Sequence, residues 1–600
     1  MGFKPSILQQ AIYDFIEKGT GHAVIAAVAG SGKTTTIVNA MKLIPMHRSS
    51  HFFAFNSTIA KELKNRIPKR PMASASTIHS YGLKAILAKV EVTNMNEFID
   101  ANKYSKIFDA TYFDTPDSEE SAADVKARVM PMVDLARVNL AYMPDDVHAM
   151  SEKYGLAVSM DDCRLVVDII QKGVKKMDAI DFTDMIFLPV YHDLDTKQFD
   201  YVFVDECQDL SECQRALVLK ALRPKTGRFV AVGDKQQAIY GFTGADAESF
   251  DKLTDHEGVT QLPLSVCYRC GSKIIELAQS IVPQIEAFEG SGEGEIVTAS
   301  VNDIKAGDMI LCRNTYPLVK LGFQYIASGV KAVIVGRDIG TNLVNMIRKT
   351  KAGSFDAMYE KFAIEQDKIV RDLVRLRGVS EEDAKKSQKY ENYQDKIDAI
   401  RVIGEGCGDL DEIIAKIEGI FGDEDKDAIT LSTIHKAKGL EADNVYIIHQ
   451  ELMPSKNAEL EWEKQQEQNL MYVAYTRAKK KLGFVNDFNA FHGEVKIDKQ
   501  KIEAKPEQVS VEVKEGQMVD GEFTIKGVFQ MTTTYGTTKK YTLVRADGLT
   551  VYKIGSMSNS RLVSGGKLEE GAVVRLKAPV KQIGEFRGQK EISLGMLEQL

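Results

Sequence analysis

One segment near the start of the chain restricts its possible folds more than any other. Residues 23–26 are apolar and predict a buried strand, and residues 35–43 predict a helix. Between them lies a Gly-rich loop in which Ala27 occupies the first glycine position of the usual pattern. Such a loop binds phosphates through its backbone N–H groups and the helix N-terminus. The residues expected to contact ATP here are Ala29, Gly30, Ser31, Gly32, Lys33, Thr34 and Thr35.

Two side chains of this loop have specific expected roles. Lys33 would reach the β- and γ-phosphates, and the Thr34 hydroxyl would bind Mg²⁺. The segment therefore predicts a nucleotide-binding α/β domain.

Composition sets the broad class of the protein. Its 600 residues are too many for one core and indicate roughly three to five domains. The longest apolar run, residues 23–29, is far shorter than the ~18 residues of a membrane span, so no membrane association is expected. Seven cysteines, an odd number, favour reduced thiols in a cytosol-like compartment. The net charge of −8 argues against a uniformly basic surface but allows a local basic groove.

A carboxylate motif follows a second predicted strand, residues 199–204. Asp205 and Glu206 come directly after it, at the strand end where α/β sheets bind ligands. Asp205 would hold Mg²⁺ through water, and Glu206 would orient and deprotonate the attacking water. The alternative is an acidic cluster that complements a helix dipole.

A third predicted strand, residues 229–232, leads to a polar and aromatic segment. Gln237 lies three and five residues before Tyr240 and Phe242. This spacing suits a γ-phosphate sensor coupled to a base-stacking surface, to which Phe55 would also contribute. The alternative for the aromatic residues is a place in the core.

The order of these motifs resembles superfamily 1 DNA helicases of the UvrD/Rep/PcrA type over residues 5–485, nearest to the F-box-type and phage branches. By this resemblance Gln9 reads adenine, with Gln10 as the alternative register. Segments 54–60 and 76–80 match DNA-contacting motifs, and segment 180–184 matches a further family motif. The DNA-contacting residues implied in this half are Phe55, Asn56, Thr77, His79, Tyr240 and Phe242.

The same resemblance assigns residues in the second half. Tyr268 would stack on adenine, and Arg269 and Arg477 would act as arginine fingers. Segments 310–315 and 431–441 match two further motifs. The resemblance implies DNA contacts by Arg313, Thr433 and His435, and an ATP contact by Glu441. Positioned guanidinium groups stabilise the charge that builds up on the γ-phosphate.

The chain departs from the family pattern at several positions. Thr35 stands where close relatives carry an adenine-clamping arginine, which leaves nucleotide selectivity open. Phe242 and Thr243 stand where relatives carry Trp and Arg. None of these departures removes a catalytic group, and the catalytic set is Lys33, Asp205, Glu206, Gln237, Arg269 and Arg477.

The expected fold is α/β, with two RecA-like parallel-sheet motor domains, helical insertions and a small C-terminal all-β barrel. Motor domain 1A comprises residues 1–89 and 176–263, and helical insertion 1B comprises residues 90–175. Motor domain 2A comprises residues 264–337 and 425–488, and a short 2B-like insertion comprises residues 338–424. A linker at 489–508 precedes an OB-like barrel at 509–600.

The C-terminal segment alternates polar and apolar residues with period two, which predicts short strands. Residues 526–590 carry twelve Lys or Arg against four Asp or Glu, a local net charge of +8. Tyr535, Tyr541, Tyr552 and Phe586 are interleaved with this charge, a pattern typical of barrels that bind single-stranded nucleic acid. The alternative is a structural or protein-docking barrel.

Together these features predict an ATP- and Mg²⁺-dependent helicase or translocase that moves 3′→5′ on single-stranded and forked DNA. The alternatives are a 5′→3′ or RNA-directed superfamily 1 motor, and an ATP-switched single-strand-binding protein without processive unwinding. We expect a monomer in the absence of DNA, with replication or repair proteins as partners. The expected location is the cytoplasm of a bacterial or phage-infected cell, or the nucleus of a eukaryote.

Overall fold

A computed structural model describes most of the chain, which divides into two units, Met1–Gly493 and Glu494–Leu600. The described residues are 4–54, 56–69, 72–112, 121–156, 158–241, 244, 248–422, 425, 427–487, 518–533, 536–545, 551–554, 573–586 and 589–594. None of the helices in these ranges is long and apolar enough to cross a membrane.

The helices of the first unit, in chain order, are α1 Ile7–Lys18, α2 Lys33–Met41, α3 Ser57–Arg66, α4 Ile78–Leu87, α5 Met95–Phe98, α6 Lys103–Thr111, α7 Ala122–Val138, α8 Pro144–Lys153, α9 Met160–Lys175, α10 Asp184–Tyr191, α11 Glu212–Lys220, α12 Ser249–Thr254, α13 Ser272–Gln279, α14 Thr315–Ala327, α15 Arg337–Thr350, α16 Phe355–Arg377, α17 Glu381–Lys385, α18 Gln388–Gly404, α19 Leu410–Ile420 and α20 Glu461–Tyr475.

The strands of the first unit are β1 His22–Ala27, β2 Ser50–Ala54, β3 Ala73–Thr77, β4 Tyr201–Val204, β5 Arg228–Gly233, β6 Val259–Leu264, β7 Val266–Cys267, β8 Glu286–Ala287, β9 Glu295–Ser300, β10 Met309–Cys312, β11 Ala332–Val335, β12 Phe421–Gly422, β13 Ile429–Thr433, β14 Ala442–Ile448 and β15 Ala478–Asp487. Those of the second unit are β16 Met518–Thr533, β17 Gly536–Arg545, β18 Val551–Ile554, β19 Val573–Phe586 and β20 Gln589–Leu594.

The first sheet is parallel throughout, with strand order β3-β2-β4-β5-β1-β6. Its central strands are apolar and buried on both faces, as parallel sheets covered by helices require. Strands β4, β5 and β1 are neighbours, so the three motifs that follow them meet at one edge of the sheet. This placement agrees with the strand assignments made from the sequence.

The second sheet is also parallel, with order β12-β11-β13-β10-β14-β15-β9. The predicted α/β class with two parallel-sheet motor folds is therefore confirmed. Strand β12 lies inside the segment predicted as a helical insertion, yet it pairs with β11 at the edge of this sheet. Only two residues form it, too few to produce a recognisable alternation in the sequence.

Helices α5–α9 lie between segments 76–80 and 180–184, and their buried side chains belong to the same core cluster as residues of the first sheet. Helix α9 has clear local signals: Ser159 and Asp162 form a capping box, and Lys172 and Lys175 lie in the last turn. Its buried face includes Val166 and Ile170. Fully burying such side chains contributes about 1.5–3 kcal/mol each.

A buried group of charges ties the first insertion to segment 180–184. Arg137 of α7 is fully buried and forms ion pairs with Asp181 at 2.7 Å and Asp184 at 2.9 Å. Lys103 of α6 reaches Asp184 at 2.6 Å. Because removing one member would leave a buried charge unpaired, these contacts fix the segment strongly.

The second unit forms a closed five-stranded barrel with order β16-β17-β18-β20-β19, in which β19 also pairs with β16. Strands β18 and β20 are parallel, and the other pairs are antiparallel. A small all-β barrel is what the alternating pattern predicts, and the OB-like assignment stays a prediction. Tyr535 lies outside the described residues, and the side chains of this unit are not described.

Candidate nucleotide site

The Gly-rich loop leads from β1 into α2, which begins at Lys33, two residues before the predicted start of the helix. Gly30 and Gly32 adopt left-handed φ angles of 66° and 79°, where other residues are strained. Gly30 has a second constraint, because an added Cβ would lie 2.6 Å from Arg269 Cβ and 2.8 Å from Cys267 Sγ. The loop is therefore shaped by its own backbone and by close contact with the second half of the molecule.

A hydroxyl and a carboxylate meet at the start of α2. Thr34 Oγ1 donates a hydrogen bond of 2.6 Å to Asp205 Oδ2. Mg²⁺ in nucleotide sites commonly takes one or two protein oxygens and completes its shell with phosphate oxygens and water. The donor set of Thr34 and Asp205 fits such an ion.

Glu206 follows Asp205 and has a left-handed backbone, with φ at 52°, which is uncommon for a residue other than glycine. Its carboxylate lies 3.5 Å from Lys33 Nζ and accepts a 2.6 Å bond from Gln208 Nε2. Burial acts to raise its pKa, but Lys33 and Lys438 outweigh burial and lower the pKa. For Asp205, burial and the charge of Glu206 raise the pKa. Of the two carboxylates, Glu206 is therefore the one whose ionised form the neighbouring lysines stabilise more strongly.

Two arginines from the second half face the loop. Arg269 Nε lies 2.6 Å from Glu441 Oε2, and its Nη1 donates to the Thr476 carbonyl at 3.2 Å. Arg477 is buried and donates to the Val473 and Leu440 carbonyls, each at 3.0 Å. Burial and the neighbouring Arg269 lower the pKa of Arg477 to about 10, which leaves it cationic at neutral pH.

One cavity of about 660 Å³ brings these groups together. It is lined by loop residues 30–35, by α3, by the carboxylate motif and by segments of the second half. The predicted site residues on its wall are Gly30, Ser31, Gly32, Lys33, Thr34, Thr35, Asn56, Asp205, Glu206, Gln237, Tyr240, Arg269, Glu441 and Arg477. The sequence motifs of both halves therefore converge on a single space of nucleotide size.

A hydrogen-bond chain connects the sensor residue to the loop. Gln237 Nε2 donates to Asp234 Oδ2 at 2.8 Å, and the Tyr472 hydroxyl donates to the same oxygen at 3.1 Å. Ala29 N–H in turn donates to the Tyr472 hydroxyl at 2.8 Å. Asp234 and Tyr472 were not predicted as site residues, although both lie inside segments identified as motifs.

Lys438 is a third residue that the sequence interpretation missed. Its Nζ forms an ion pair with Asp209 and donates to the Gln237 carbonyl at 2.6 Å, and it lies 5.0 Å from the Tyr240 ring centroid. Its position within segment 431–441, which carries the fifth motif, is the signal that would have identified it. Lys438 adds a buried cation to the cavity wall.

The residues predicted to hold adenine lie around the loop. Gln9 Nε2 donates to Thr36 Oγ1 at 3.1 Å, whereas the Gln10 side chain bonds to Asp14 on the exposed face of α1. Tyr268 N–H donates to the Gly30 carbonyl at 2.9 Å, and the Tyr268 ring is 38% exposed. These positions are compatible with Gln9 as the adenine-reading residue.

An arginine from another element reaches Thr35. Arg66, at the end of α3, donates through Nη2 to Thr35 Oγ1 at 3.0 Å and pairs with Glu62 at 2.8 Å. Both Arg66 and Glu62 line the nucleotide cavity. A guanidinium group is therefore present beside the position at which the resemblance expects an arginine in the chain itself.

Three of the predicted DNA-binding residues, Arg313, Thr433 and His435, line a second cavity of about 320 Å³. Arg313 forms a two-pronged ion pair with Glu467, with its shortest contact at 2.7 Å. Burial, Arg313 and Lys436 lower the pKa of His435 to about 3, so its ring is neutral at pH 7.

The other predicted DNA-binding residues are dispersed. Thr77 caps α4 by accepting the Ser80 N–H, and the His79 ring lies 5.4 Å from the ring of Phe182, which is 66% exposed. Asn56 caps α3 and, like Tyr240, lines the nucleotide cavity and not the second cavity. Phe55 and Phe242 lie outside the described residues.

Comparison with known families agrees with this arrangement. The model of the UvrD/REP helicase N-terminal domain matches residues 8–257, and that of the UvrD-like helicase C-terminal domain matches residues 428–485. The chain belongs to the UvrD-like superfamily 1 helicases. The two matches include the Gly-rich loop and carboxylate motif in the first sheet and the Arg477 segment in the second.

Individual relatives of this UvrD-like chain are distant. It is 25% identical to the ATP-dependent DNA helicase Rep of Buchnera aphidicola over 44% of this chain and 41% of that protein. It is 22% identical to the ATP-dependent DNA helicase PcrA of Bacillus subtilis over 78% of this chain and 81% of the relative. It is 23% identical to F-box DNA helicase protein 1 of Schizosaccharomyces pombe over 77% and 55%. The matches span about two fifths of the Rep proteins.

Proposed function

We propose that this protein is an ATP-dependent helicase and translocase that moves 3′→5′ on single-stranded DNA and unwinds forked duplexes in replication, recombination or repair. One observation carries the proposal: the Gly-rich loop and carboxylates of the first sheet share a cavity with Arg269, Lys438 and Arg477 of the second half. Because residues of both sheets line the cavity, movement of one half relative to the other would change the distances between these catalytic groups. ATP hydrolysis can therefore be coupled to movement of the two halves.

The residues of the cavity divide the chemistry among them. The ionised Glu206 carboxylate orients the attacking water and accepts its proton. Lys33, Arg269 and Arg477 stabilise the negative charge that builds up on the γ-phosphate oxygens. Gln237, bonded to Asp234, reports the γ-phosphate to the segment that holds Tyr240. Thr34 and Asp205 would hold Mg²⁺, which would neutralise negative charge on the phosphates.

The polarity and the substrate rest on the family resemblance together with Arg313, Thr433 and His435, which share the second cavity. We place the motor domains, insertions and linker at the boundaries given from the sequence, except that the 2B-like insertion ends before β12, which pairs in the second sheet. The protein is proposed to act as a monomer before it binds DNA.

ATP hydrolysis with and without single-stranded DNA, measured together with strand displacement on duplexes bearing a 3′ or a 5′ tail, tests the proposal. We expect stimulation by DNA and displacement from the 3′ tail. Displacement only from the 5′ tail would show the opposite polarity, 5′→3′. Displacement only on RNA would show that the substrate is RNA. Stimulation without displacement would favour an ATP-switched binding protein, and absence of stimulation would overturn the motor function.

The C-terminal barrel is proposed to add grip on the single strand, because its sequence is locally basic and aromatic. Deleting residues 509–600 should weaken single-strand affinity while leaving measurable ATPase activity, since the cavity lies within Met1–Gly493. Affinity is measured by fluorescence anisotropy of a labelled oligonucleotide. Unchanged affinity would favour a protein-docking barrel.

A further inference from the structure

The chain contains a single tryptophan, Trp462, in the first turn of α20. It lines the second cavity with Arg313, Thr433 and His435. We propose that this cavity holds one base of the bound single strand and that Trp462 is its stacking surface. This assignment rests on the proposed function and specifies where the protein binds one base of the single strand.

Three elements fix the indole ring. Trp462 Nε1 donates to the Lys153 carbonyl at the end of α8 at 2.7 Å, and the Tyr154 ring lies 5.9 Å away in an edge-on arrangement. On the segment after β5, an added Cβ at Gly241 would lie 3.1 Å from Trp462 Cζ3. A ring held in place loses little conformational freedom when a base stacks on it, which favours binding.

The rest of the cavity wall suits a neutral base better than a phosphate. Amide side chains are its most frequent polar groups. The wall carries two permanent cations, Arg313 and Lys396. Arg313 is engaged by Glu467, and the acidic Asp395 and Glu463 also lie on the wall and offset the charge of Lys396. Amides present both a donor and an acceptor, the groups that recognise base edges. The amides are Asn314, Asn342, Gln388, Asn392 and Gln466.

One of these amides has an unused donor. Gln466 Nε2 is buried and has no hydrogen-bond partner among the described residues. This atom packs against Gly241, where an added Cβ would lie 2.1 Å from it, so the Gln466 amide supports the cavity wall beside the indole ring. Gln466 lies one helical turn after Trp462, so the stacking surface and the donor project from the same side of α20.

The cavity also has a direct link to the nucleotide site. The Tyr240 hydroxyl donates to the His435 carbonyl at 3.0 Å, with Tyr240 on the wall of the nucleotide cavity and His435 on the wall of the second cavity. The wall of the proposed base cavity is therefore hydrogen-bonded, through His435 and Tyr240, to the wall of the nucleotide cavity.

Because Trp462 is the sole tryptophan, its fluorescence reports this cavity alone. We would titrate the full chain, without ATP, with a labelled oligo(dT) and with an oligomer of equal length whose residues are abasic. Anisotropy measures binding, and tryptophan emission measures stacking. We expect oligo(dT) at saturation to quench the emission at least about threefold more strongly than the abasic oligomer, because stacking requires the base.

Each other outcome has a distinct meaning. Equal quenching by both bound oligomers, or binding of oligo(dT) without quenching, would overturn the base cavity and leave the helicase proposal standing. If oligo(dT) gives no anisotropy change, both proposals fail.

Two variants separate stacking from anchoring. Trp462→Ala removes the ring and should weaken oligo(dT) binding by about fivefold or more. Trp462→Phe keeps a stacking ring and loses the N–H that holds the Lys153 carbonyl, so it should retain most of the affinity. A loss as large in Trp462→Phe as in Trp462→Ala would assign Trp462 an anchoring role only and overturn the stacking surface.

Discussion

The backbone N–H of Ala29 donates to the hydroxyl of Tyr472 across a sequence separation of 443 residues. The bond joins the Gly-rich loop of the first sheet to α20, which leads to Arg477. Val28 and Ala29 are buried in the same core cluster as residues of the second half, among them Leu311 and Tyr472. The loop is thus packed and hydrogen-bonded to both halves.

Tyr472→Phe should lower kcat for ATP hydrolysis by about tenfold, the effect of losing roughly 1.4 kcal/mol of hydrogen bonding. The change removes the hydroxyl shared by Ala29 and Asp234 and keeps the ring. Tyr325→Phe is the matched control, because that buried hydroxyl donates to the Val301 carbonyl at the second sheet. Equal losses in the two variants would contradict a specific role for Tyr472.

Glu206→Gln should lower DNA-stimulated hydrolysis by at least about 100-fold, since the amide cannot accept the proton of the attacking water. Lys33→Ala should have a similar effect by removing the cation beside the phosphates. Single-strand affinity should stay largely intact in both variants, as measured by anisotropy. Glu212→Gln, a carboxylate paired with Lys252 outside the cavity, serves as the control. Normal turnover of Glu206→Gln would refute its assignment as the base.

Arg66→Ala should raise KM for ATP about fivefold and leave kcat nearly unchanged, as expected for a partly exposed charge contact worth about 1 kcal/mol. The guanidinium bonds to Thr35 at the rim of the nucleotide cavity, away from Glu206. Arg164→Ala removes a surface arginine that pairs with Asp161 in the same helix and should leave KM unaltered. Steady-state kinetics distinguish the two, and a fall in kcat instead would place Arg66 among the catalytic groups.

Acid should destabilise the first unit through His51. The ring is bonded to the Ser74 and Ser76 hydroxyls, and burial lowers its pKa to about 3. Between pH 6.5 and 3 the unfolded chain binds the extra proton, so stability falls as pH decreases, by about 2 kcal/mol at pH 5.

His51→Gln replaces the ring with a group that does not titrate and can still bond to both serines. Its thermal midpoint should therefore depend less on pH between 7.5 and 5 than that of the natural chain. Parallel pH profiles for the two proteins would exclude His51 as a source of the acid sensitivity.

The sequence predicted the elements whose signals are local. The strand–loop–helix unit at 22–41 and the carboxylates after β4 were identified because each depends on a few adjacent residues. The three strand ends meet because parallel strands place equivalent ends together. By contrast, the contacts of Asp234 with Tyr472 and of Arg66 with Thr35 depend on how distant segments pack, which spacing alone does not encode.

Several of the predicted DNA-binding residues lie in two separate cavities, and this separation also depends on how distant segments pack. Asn56 and Tyr240 line the nucleotide cavity, whereas Arg313 and His435 line the second cavity. Trp462 had no motif to identify it, and its significance emerges only from the residues that surround it. Whether all these residues contact DNA stays a prediction.

Gly30 lies in close contact with the second half of the molecule. Its missing side chain is the gap into which Arg269 and Cys267 fit, with less than 3 Å between their atoms and an added methyl carbon. A Cβ atom at residue 30 would clash with both side chains and force the Gly-rich loop away from segment 267–269. The close approach of the two halves at this point therefore depends on residue 30 having no side chain, in addition to the left-handed backbone that the loop requires there.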